Sequence, residues 1–283
     1  MEEKNKIAGP DNTAVRTALW RALHMQEDAT PFILEDNIGI KLIAPPENWQ
    51  QQPDMKYTKR LRASILARAR FIEDLVIEQS EKGISQYVIL GAGLDTFAQR
   101  RPDIAAHLQI YEIDQPGTLN WKQKRLMELD MGMPDYLHFV PVNFEISSWW
   151  SELLRAGFDA GKPAVVVCTG VTLYLTNEAI KGTLKQIAKL APGSVLAMTF
   201  YLPMELLADE DKPMQEIADK GARAAATPFV SFFAPEEVLA LAREAGFKNV
   251  QIISTKDMEQ LYFAHRIDNL LPASGELFLI AKI

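Results

Sequence analysis

The stretch that most constrains the fold spans residues 86–96, which read QYVILGAGLDT. Residues 87–90 form a short, unbroken apolar run, typical of a strand buried on both faces of a parallel sheet. The run stops at Gly91 and Gly93, where glycines allow a tight turn and let a ligand approach bare backbone. Asp95 and Thr96 are suited to cap the short helix that follows. A Gly-x-Gly turn after a strand is by itself a weak indication of a ligand site.

An acidic residue at the end of the next predicted strand strengthens that indication. Residues 108–113 form this second strand, which ends at Asp114, 21 residues after Gly93. In α/β nucleotide-binding folds, an acid about 20 residues beyond the glycine turn binds the ribose hydroxyls. The dinucleotide fingerprint requires a third glycine where this chain has Thr96, which argues against an NAD-dependent oxidoreductase. A cofactor with a ribose but no pyrophosphate fits better, and S-adenosylmethionine is the commonest of these.

Composition and charge exclude several classes of protein. The 283 residues are 48% hydrophobic and 24% charged, as in ordinary globular proteins. The net charge is -7 and no run of Lys or Arg is long, so we predict no nucleic-acid partner. The single cysteine, Cys168, allows no internal disulfide and is interpreted as a buried small hydrophobe. No metal site is predicted, because no metal-ligand spacing relates the histidines His24, His107 and His138.

Targeting and membrane signals are not evident. The N-terminus lacks a basic start followed by an apolar core, which a secretory signal requires. The longest apolar stretches, 163–175 and 193–208, are too short for a membrane span or are broken by Pro203. We therefore expect a cytoplasmic enzyme without a membrane partner.

Helical and strand patterns alternate along the chain and predict one doubly wound α/β domain over residues 1–283. An N-terminal helical lid, 13–80, has helices at 13–27 and 57–79 with short pieces between them. The core, 84–283, has a helical insertion at 203–233. Further core helices are predicted at 116–130, 148–156, 177–190 and 235–245. Strands are predicted at 87–90, 108–113, 138–142, 164–169, 194–201, 249–254 and 276–282.

Ligands of such sheets bind at the carboxyl ends of the strands, where the strand order reverses. Arg68 lies on the apolar stripe of the second lid helix, and an arginine facing a core is costly unless an anion meets it. That anion is either an Asp or Glu of this chain or the carboxylate of a ligand. Arg62 and Arg70 fall elsewhere on the helix and are expected to face solvent. The predicted rim of the site consists of Gly91, Gly93, Asp114, Asn143 and Thr169.

Four segments together resemble one protein family. They read VILGAGLDT at 88–96, YEIDQP at 111–116, GVTLYLT at 170–176 and EQLYFAHRID at 259–268. This combination is similar to leucine carboxyl methyltransferases, and more closely to their bacterial branch of S-adenosylmethionine-dependent O-methyltransferases, some of them tied to polyketide biosynthesis. The resemblance implies a Rossmann-like class I methyltransferase sheet of seven strands, with the last strand antiparallel and N-terminal helices over the cofactor.

The resemblance also implies roles for the residues that match the family motifs. Arg68 matches the arginine that binds the carboxylate of the cofactor. Gly91 and Gly93 match the glycines beneath its methionine moiety, and Asp114 matches the acid on its ribose. Arg16 aligns with a basic residue near the cofactor.

Two positions of the cofactor site depart from the family pattern. Asn143, with Phe144, stands where the family has Asp-Leu around the adenine, and an amide oxygen can still accept from the adenine amino group. Thr169 stands where many members have Glu after the fourth strand, which leaves that cofactor contact open.

The implied activity is methyl transfer to oxygen, with a small-molecule carboxylate as acceptor and no obligatory catalytic base. Candidate residues of the acceptor pocket are Tyr174, Tyr201, His265 and Arg266. Tyr174 is either core or pocket lining, and Arg266 either binds acceptor or pairs with Asp268. The alternatives are a hydroxyl acceptor, an NAD-dependent oxidoreductase, and a non-catalytic protein that binds partners through 203–233.

Overall fold

The computed structural model describes residues 9–56, 58–143 and 148–283 and contains a seven-stranded sheet. Its strand order is β3-β2-β1-β4-β5-β7-β6. The first five strands are parallel, and β7 pairs antiparallel with both β5 and β6, as expected. The strands are β1 Gln86–Leu90, β2 Gln109–Asp114, β3 Leu137–Pro141, β4 Val165–Cys168, β5 Val195–Tyr201, β6 Asn249–Ile253 and β7 Glu276–Lys282.

Helices connect the strands and cover both faces of the sheet. Single-turn 3-10 helices occur at Trp49–Gln51, Thr172–Tyr174 and Met204–Leu206. The α-helices are α1 Asn12–Glu27, α2 Ile38–Ile43, α3 Lys59–Glu81, α4 Phe97–Arg100, α5 Pro102–Ala105, α6 Pro116–Glu128, α7 Trp149–Arg155, α8 Asn177–Ile187, α9 Lys212–Ala224, α10 Pro235–Ala245 and α11 Thr255–Tyr262. None of these helices is long and apolar enough to cross a membrane.

The apolar run of β1 explains the two-sided core. Tyr87 and Ile89 point to one face, where they pack with the apolar stripe of α3, including Leu66. Val88 and Leu90 point to the other face and pack in a cluster that includes α7 and α8 residues. Because strand side chains alternate between the two faces, a strand covered on both sides must be apolar throughout.

The insertion at 203–233, expected to hold one or two helices, has one α-helix, α9, after a single 3-10 turn, as predicted. Helix α11 was not predicted. Its start carries a reciprocal cap, in which the Ser254 side chain accepts from Asp257 N and the Asp257 side chain accepts from Ser254 N. That capping-box pattern was the available sequence signal.

The expectation that Arg62 faces solvent is wrong. Arg62 is buried, with Nη2 2.7 Å from Asp28 Oδ1 and Nε 2.9 Å from Asp28 Oδ2. Asp28 also accepts from His24 Nδ1 at 2.8 Å, while His24 Nε2 accepts from Ile33 N. The polar face of α3 is covered because α1 packs against it. Arg70 pairs with Asp74 and keeps 43% of its side chain exposed.

Replacing Asp28 with Asn should destabilise the lid. Burial alone would raise the pKa of Asp28, but hydrogen bonds from His24 and Arg62 outweigh it and lower the pKa. A carboxylate with a lowered folded-state pKa stabilises the fold above its unfolded pKa of about 3.9 and less so as pH falls through the folded value. We expect Asp28→Asn to cost about 3–5 kcal/mol at pH 7, because Arg62 loses its partner.

Denaturant unfolding across pH tests this expectation. The deficit of Asp28→Asn should shrink progressively as pH falls below about 4, because the wild-type carboxylate then takes up a proton more readily in the unfolded state than in the fold. Asp103→Asn, which breaks the exposed Arg101–Asp103 pair, serves as the control and should change stability little. A deficit that is the same at pH 3 and pH 7 would contradict the ion-pair account.

Candidate active site

The carboxyl ends of the parallel strands form one rim, and the strand order reverses between β1 and β4. The chain leaves β1 towards β2 and β3, then returns to β4 on the other side of β1. This switch point separates the loops that follow the two strands and leaves a crevice between them. The glycine turn after β1 and Thr169 and Gly170 after β4 border it.

Asp114 holds the glycine turn from the end of β2. Its Oδ2 accepts from Gly93 N at 2.6 Å, and its Oδ1 accepts from Gln115 N at 2.7 Å. Burial raises the pKa of Asp114 despite these two backbone bonds. The N-cap of α6 is Gln115, the residue after Asp114. Each oxygen of a carboxylate can accept more than one hydrogen bond, so hydroxyl donors can still be bound.

Three glycines form a surface without side chains around the switch point. Gly91, Gly93 and Gly170 have φ of 73°, 52° and 70°, a region that side chains rarely adopt. A Cβ at Gly91 would lie 2.2 Å from Val171 Cγ2, and one at Gly170 would lie 2.9 Å from Arg68 Nη1. Val171 and Arg68 thus pack directly on glycine backbone, and a larger residue at Gly91 or Gly170 would displace them.

Helix α1 closes the crevice from the lid side. A Cβ at Gly93 would lie 3.2 Å from Ala14 Cβ. Farther along α1, Arg21 Nη2 donates to Leu94 O in the turn at 2.8 Å. The Nε of Arg16 is buried and has no hydrogen-bond partner among the described residues. An orphaned buried donor on this helix suits an acceptor atom of a ligand.

A buried lysine on α6 contacts the loop after the glycine turn and was not predicted from the sequence. Lys122 on α6 is completely buried, and its Nζ donates to Asp95 O at 2.6 Å and to Glu112 Oε2 at 2.5 Å. Burial raises the pKa of Glu112 to about 7. The available sequence signal was the position of Lys122, three residues after Leu119 and four before Leu126, on the stripe of α6 that faces the core. A lysine on such a stripe is costly unless it is paired.

On the β4 side of the rim, Arg68 reaches across Gly170 to the end of the sheet. Its Nη1 lies 2.8 Å from Glu276 Oε1 and 3.5 Å from the Tyr201 hydroxyl. Burial would lower the pKa of Arg68, but Glu276 more than offsets it and raises the pKa. Glu276 was not among the predicted site residues. It is the first residue of β7, and the antiparallel register places it opposite Tyr201, the last residue of β5.

Two potential nucleophiles near the rim are held protonated. Burial, and then the neighbouring Glu276, raise the pKa of Tyr201 well above its usual value. Cys168 is buried, as expected, and burial raises its pKa to about 12. Neither group forms an anion near neutral pH.

The other predicted site residues lie in different parts of the molecule. Tyr174 is half-buried and packs edge-on against Phe229 of the insertion, 5.6 Å between ring centroids. Asn143 follows β3, whereas Phe144 lies outside the described residues. His265 is exposed on the loop after α11.

Arg266 makes structural contacts. Among the described residues, its guanidinium donates to the Asp268 carboxylate and to the carbonyls of Ala29 and Pro31. Of the two alternatives for Arg266, the structure shows the pairing with Asp268, and these bonds link the loop after α1 to the loop after α11. No group of three or more His, Cys, Asp or Glu side chains within the described ranges is arranged to hold a metal ion.

The sheet order, the antiparallel β7 and the glycine turn facing Asp114 define a class I methyltransferase fold. Solved structures agree. A provisionally described methyltransferase of Thermobifida fusca superposes with a TM-score of 0.59 at 18% identity, covering 98% of this chain and 96% of its own. A DUF574 family protein of Streptomyces avermitilis superposes with a TM-score of 0.58 at 13% identity, covering 96% of this chain and 97% of its own.

Sequence relatives narrow the class to a family. The leucine carboxyl methyltransferase family matches residues 14–188. YktD of Bacillus subtilis, named provisionally as an S-adenosyl-L-methionine-dependent methyltransferase, is 30% identical over 284 residues, covering 91% of this chain and 93% of YktD. A provisionally named S-adenosyl-L-methionine-dependent methyltransferase of Parafrankia sp. is 29% identical over 236 residues, covering 78% of this chain and 74% of its own. The chain belongs to the leucine carboxyl methyltransferase family and is a methyltransferase that depends on S-adenosylmethionine, as predicted.

Substituting Gly91 tests the close contact between the glycine turn and Val171. Gly91→Ala imposes a left-handed conformation on a side chain, which costs about 1–2 kcal/mol, and adds the clash with Val171. Gly83→Ala is the matched control, because φ is 91° there but no atom lies within 4 Å of the new Cβ. Thermal unfolding should show a larger loss for Gly91→Ala, partly recovered by adding Val171→Ala. Equal losses for both glycine variants would contradict the close contact.

Proposed function

We propose that this protein transfers a methyl group from S-adenosylmethionine to a carboxylate of a small molecule and so forms a methyl ester. The bound cofactor supplies an electrophilic methyl group on a sulfonium centre. The acceptor oxygen attacks that carbon in line with the breaking carbon–sulfur bond, so the protein must hold the two reactants in line. Such positioning contributes about 7–11 kcal/mol at best.

The described residues fit the cofactor along the rim. Asp114, whose carboxylate holds the glycine turn, is proposed to accept from the ribose hydroxyls, and the turn with Gly91 and Gly93 is proposed to lie beneath the chain that leads to the sulfur. Arg68 carries the buried cation for the amino-acid carboxylate. The orphaned Nε of Arg16 supports a cofactor contact from the lid.

Two further positions complete the proposed cofactor site. Asn143 and Thr169 follow β3 and β4 at the same rim and are proposed beside the adenine and the methionine part. Phe144, also proposed beside the adenine, lies outside the described residues.

The acceptor is proposed to bind beyond β4, between the rim and the insertion. Tyr174, Phe229 and Phe232 form a chain of edge-on aromatic contacts there. The Tyr201 hydroxyl lies at the base of the same region, beside Glu276. An apolar or aromatic body on the acceptor, as in polyketide-like acids, suits these rings.

One observation favours a carboxylate over a hydroxyl acceptor. The ionisable group at the end of β5, Tyr201, keeps its proton because burial raises its pKa, and the neighbouring Glu276 is tied to Arg68. A phenolic hydroxyl with a pKa of about 10 would profit from a general base, whereas a carboxylic acid with a pKa of about 4 is already ionised. A carboxylate needs desolvation and orientation, which this site offers.

Product chemistry tests the proposal. Methyl-labelled S-adenosylmethionine is incubated with paired aromatic carboxylic acids and phenols of the same skeleton. We expect label in the acids, and the rate of methyl ester formation should be nearly flat from about pH 6 to 9. Mild base should then release the label as methanol. His265→Ala should keep most of that activity, because His265 is exposed. A base-stable methyl ether, with activity lost in His265→Ala, would establish the hydroxyl alternative instead.

Asp114 provides a test of the cofactor site that is independent of the acceptor. Asp114→Asn should weaken S-adenosylhomocysteine binding by about 1.5–3 kcal/mol, since charge-assisted bonds to hydroxyls are lost. Titration calorimetry measures this directly. Asp135→Asn, an exposed residue before β3, is the control and should bind normally. Unchanged affinity in Asp114→Asn would remove Asp114 from the site.

A further inference from the structure

Arg68 and Glu276 present a cation and an anion side by side at the rim. The two side chains are 13% and 9% exposed, and 2.8 Å separates Nη1 from Oε1. The guanidinium packs on Gly170, where a Cβ would come within 2.9 Å of Arg68 Nη1, so the glycine lets Arg68 reach the rim after β4. Thr169 and Gly170, the adjoining rim residues, bring no charge.

The chain around Glu276 is anchored independently of this ion pair. Arg60, Ser64 and Arg68 recur at four-residue spacing and form one polar stripe on α3. Ser64 Oγ accepts from Ala273 N at 2.9 Å. The Arg60 guanidinium binds Asp211, whose Oδ2 accepts from Ser274 N at 2.8 Å. The segment that leads into β7 is thus fixed to α3.

The register of the β5–β7 pair also fixes the position of Glu276 at the rim. Because β7 runs antiparallel to β5, its first residue lies at the rim formed by the carboxyl ends of the parallel strands. The antiparallel pairing with Tyr201 holds the backbone of Glu276, so the carboxylate stays at the rim if Arg68 turns to another partner. A fixed carboxylate next to a guanidinium matches the two charges of an α-amino acid.

We propose that Glu276 binds the ammonium group of the methyl donor while Arg68 binds its carboxylate. This inference rests on the proposed cofactor site and assigns the amine to a residue from the last strand. On binding, the guanidinium exchanges Glu276 for the ligand carboxylate, and Glu276 exchanges the guanidinium for the ligand ammonium. Both buried charges stay paired throughout, which avoids the cost of an unpaired buried charge.

Three adenosine thioethers test the inference by titration calorimetry. S-adenosylhomocysteine carries both charges, 5′-S-(3-carboxypropyl)-5′-thioadenosine lacks only the amine, and 5′-methylthioadenosine lacks both. The wild type should prefer the first over the second by about tenfold or more. Glu276→Gln should bind S-adenosylhomocysteine about 10- to 100-fold more weakly and lose that preference. Unchanged binding of 5′-methylthioadenosine shows that the variant is folded.

Asp74→Asn is the matched control, because Asp74 also pairs with an arginine of α3, Arg70. It should keep the wild-type preference. A preference that survives in Glu276→Gln overturns the inference and makes the pair purely structural. Tighter S-adenosylhomocysteine binding in Glu276→Gln also overturns it, because Glu276 would then compete with the ligand carboxylate. If the wild type binds none of the three thioethers, the proposed cofactor site fails and this inference fails with it.

Discussion

The carboxylate of Asp36 connects the N-terminal helices to the glycine turn beside which the cofactor is proposed to bind. Asp36 is completely buried, and its oxygens accept from Arg21 Nε at 2.7 Å, Thr96 Oγ1 at 2.7 Å and Ile38 N at 3.0 Å. Burial alone would raise its pKa, but Arg21 and Arg100 outweigh burial and lower it. A buried charge with this many partners is stable, whereas removal of one partner is costly.

The contacts of Asp36 continue into the rest of the molecule. Thr96, at the start of α4, also accepts from Arg100 Nε at 3.1 Å, and Arg100 Nη1 binds Glu73 of α3 at 2.6 Å. These contacts therefore fix the positions of α1, α2 and α3 relative to the loop that carries Gly91 and Gly93. This network fixes the position of the N-terminal helices relative to the rim at which the cofactor is proposed to bind.

Much of the fold was predictable because its rules are local. Buried strands such as β1 show as apolar runs, and glycines and prolines mark their ends, so the predicted strands and long helices agree with the structure to within about three residues. The proximity of Asp114 to the turn with Gly91 and Gly93 was predictable for the same reason, since their spacing along the chain reflects one βαβ unit.

The remaining site residues depend on contacts between distant parts of the chain. Glu276 faces Arg68 across 208 residues, and nothing local to the last strand marks its first residue as part of a site. Arg62 was assigned to solvent because its helical position alone could not reveal that Asp28 would cover it. Helical periodicity gives the face of a side chain but not what packs on that face.

A crystal structure of the protein grown with S-adenosylhomocysteine tests the central claim most directly. The account predicts the ribose hydroxyls on Asp114, the thioether chain over Gly91 and Gly93, and the amino-acid end between Arg68 and Glu276. An adenosine bound away from the β1–β4 switch point, with the Arg68–Glu276 pair unchanged, would contradict it.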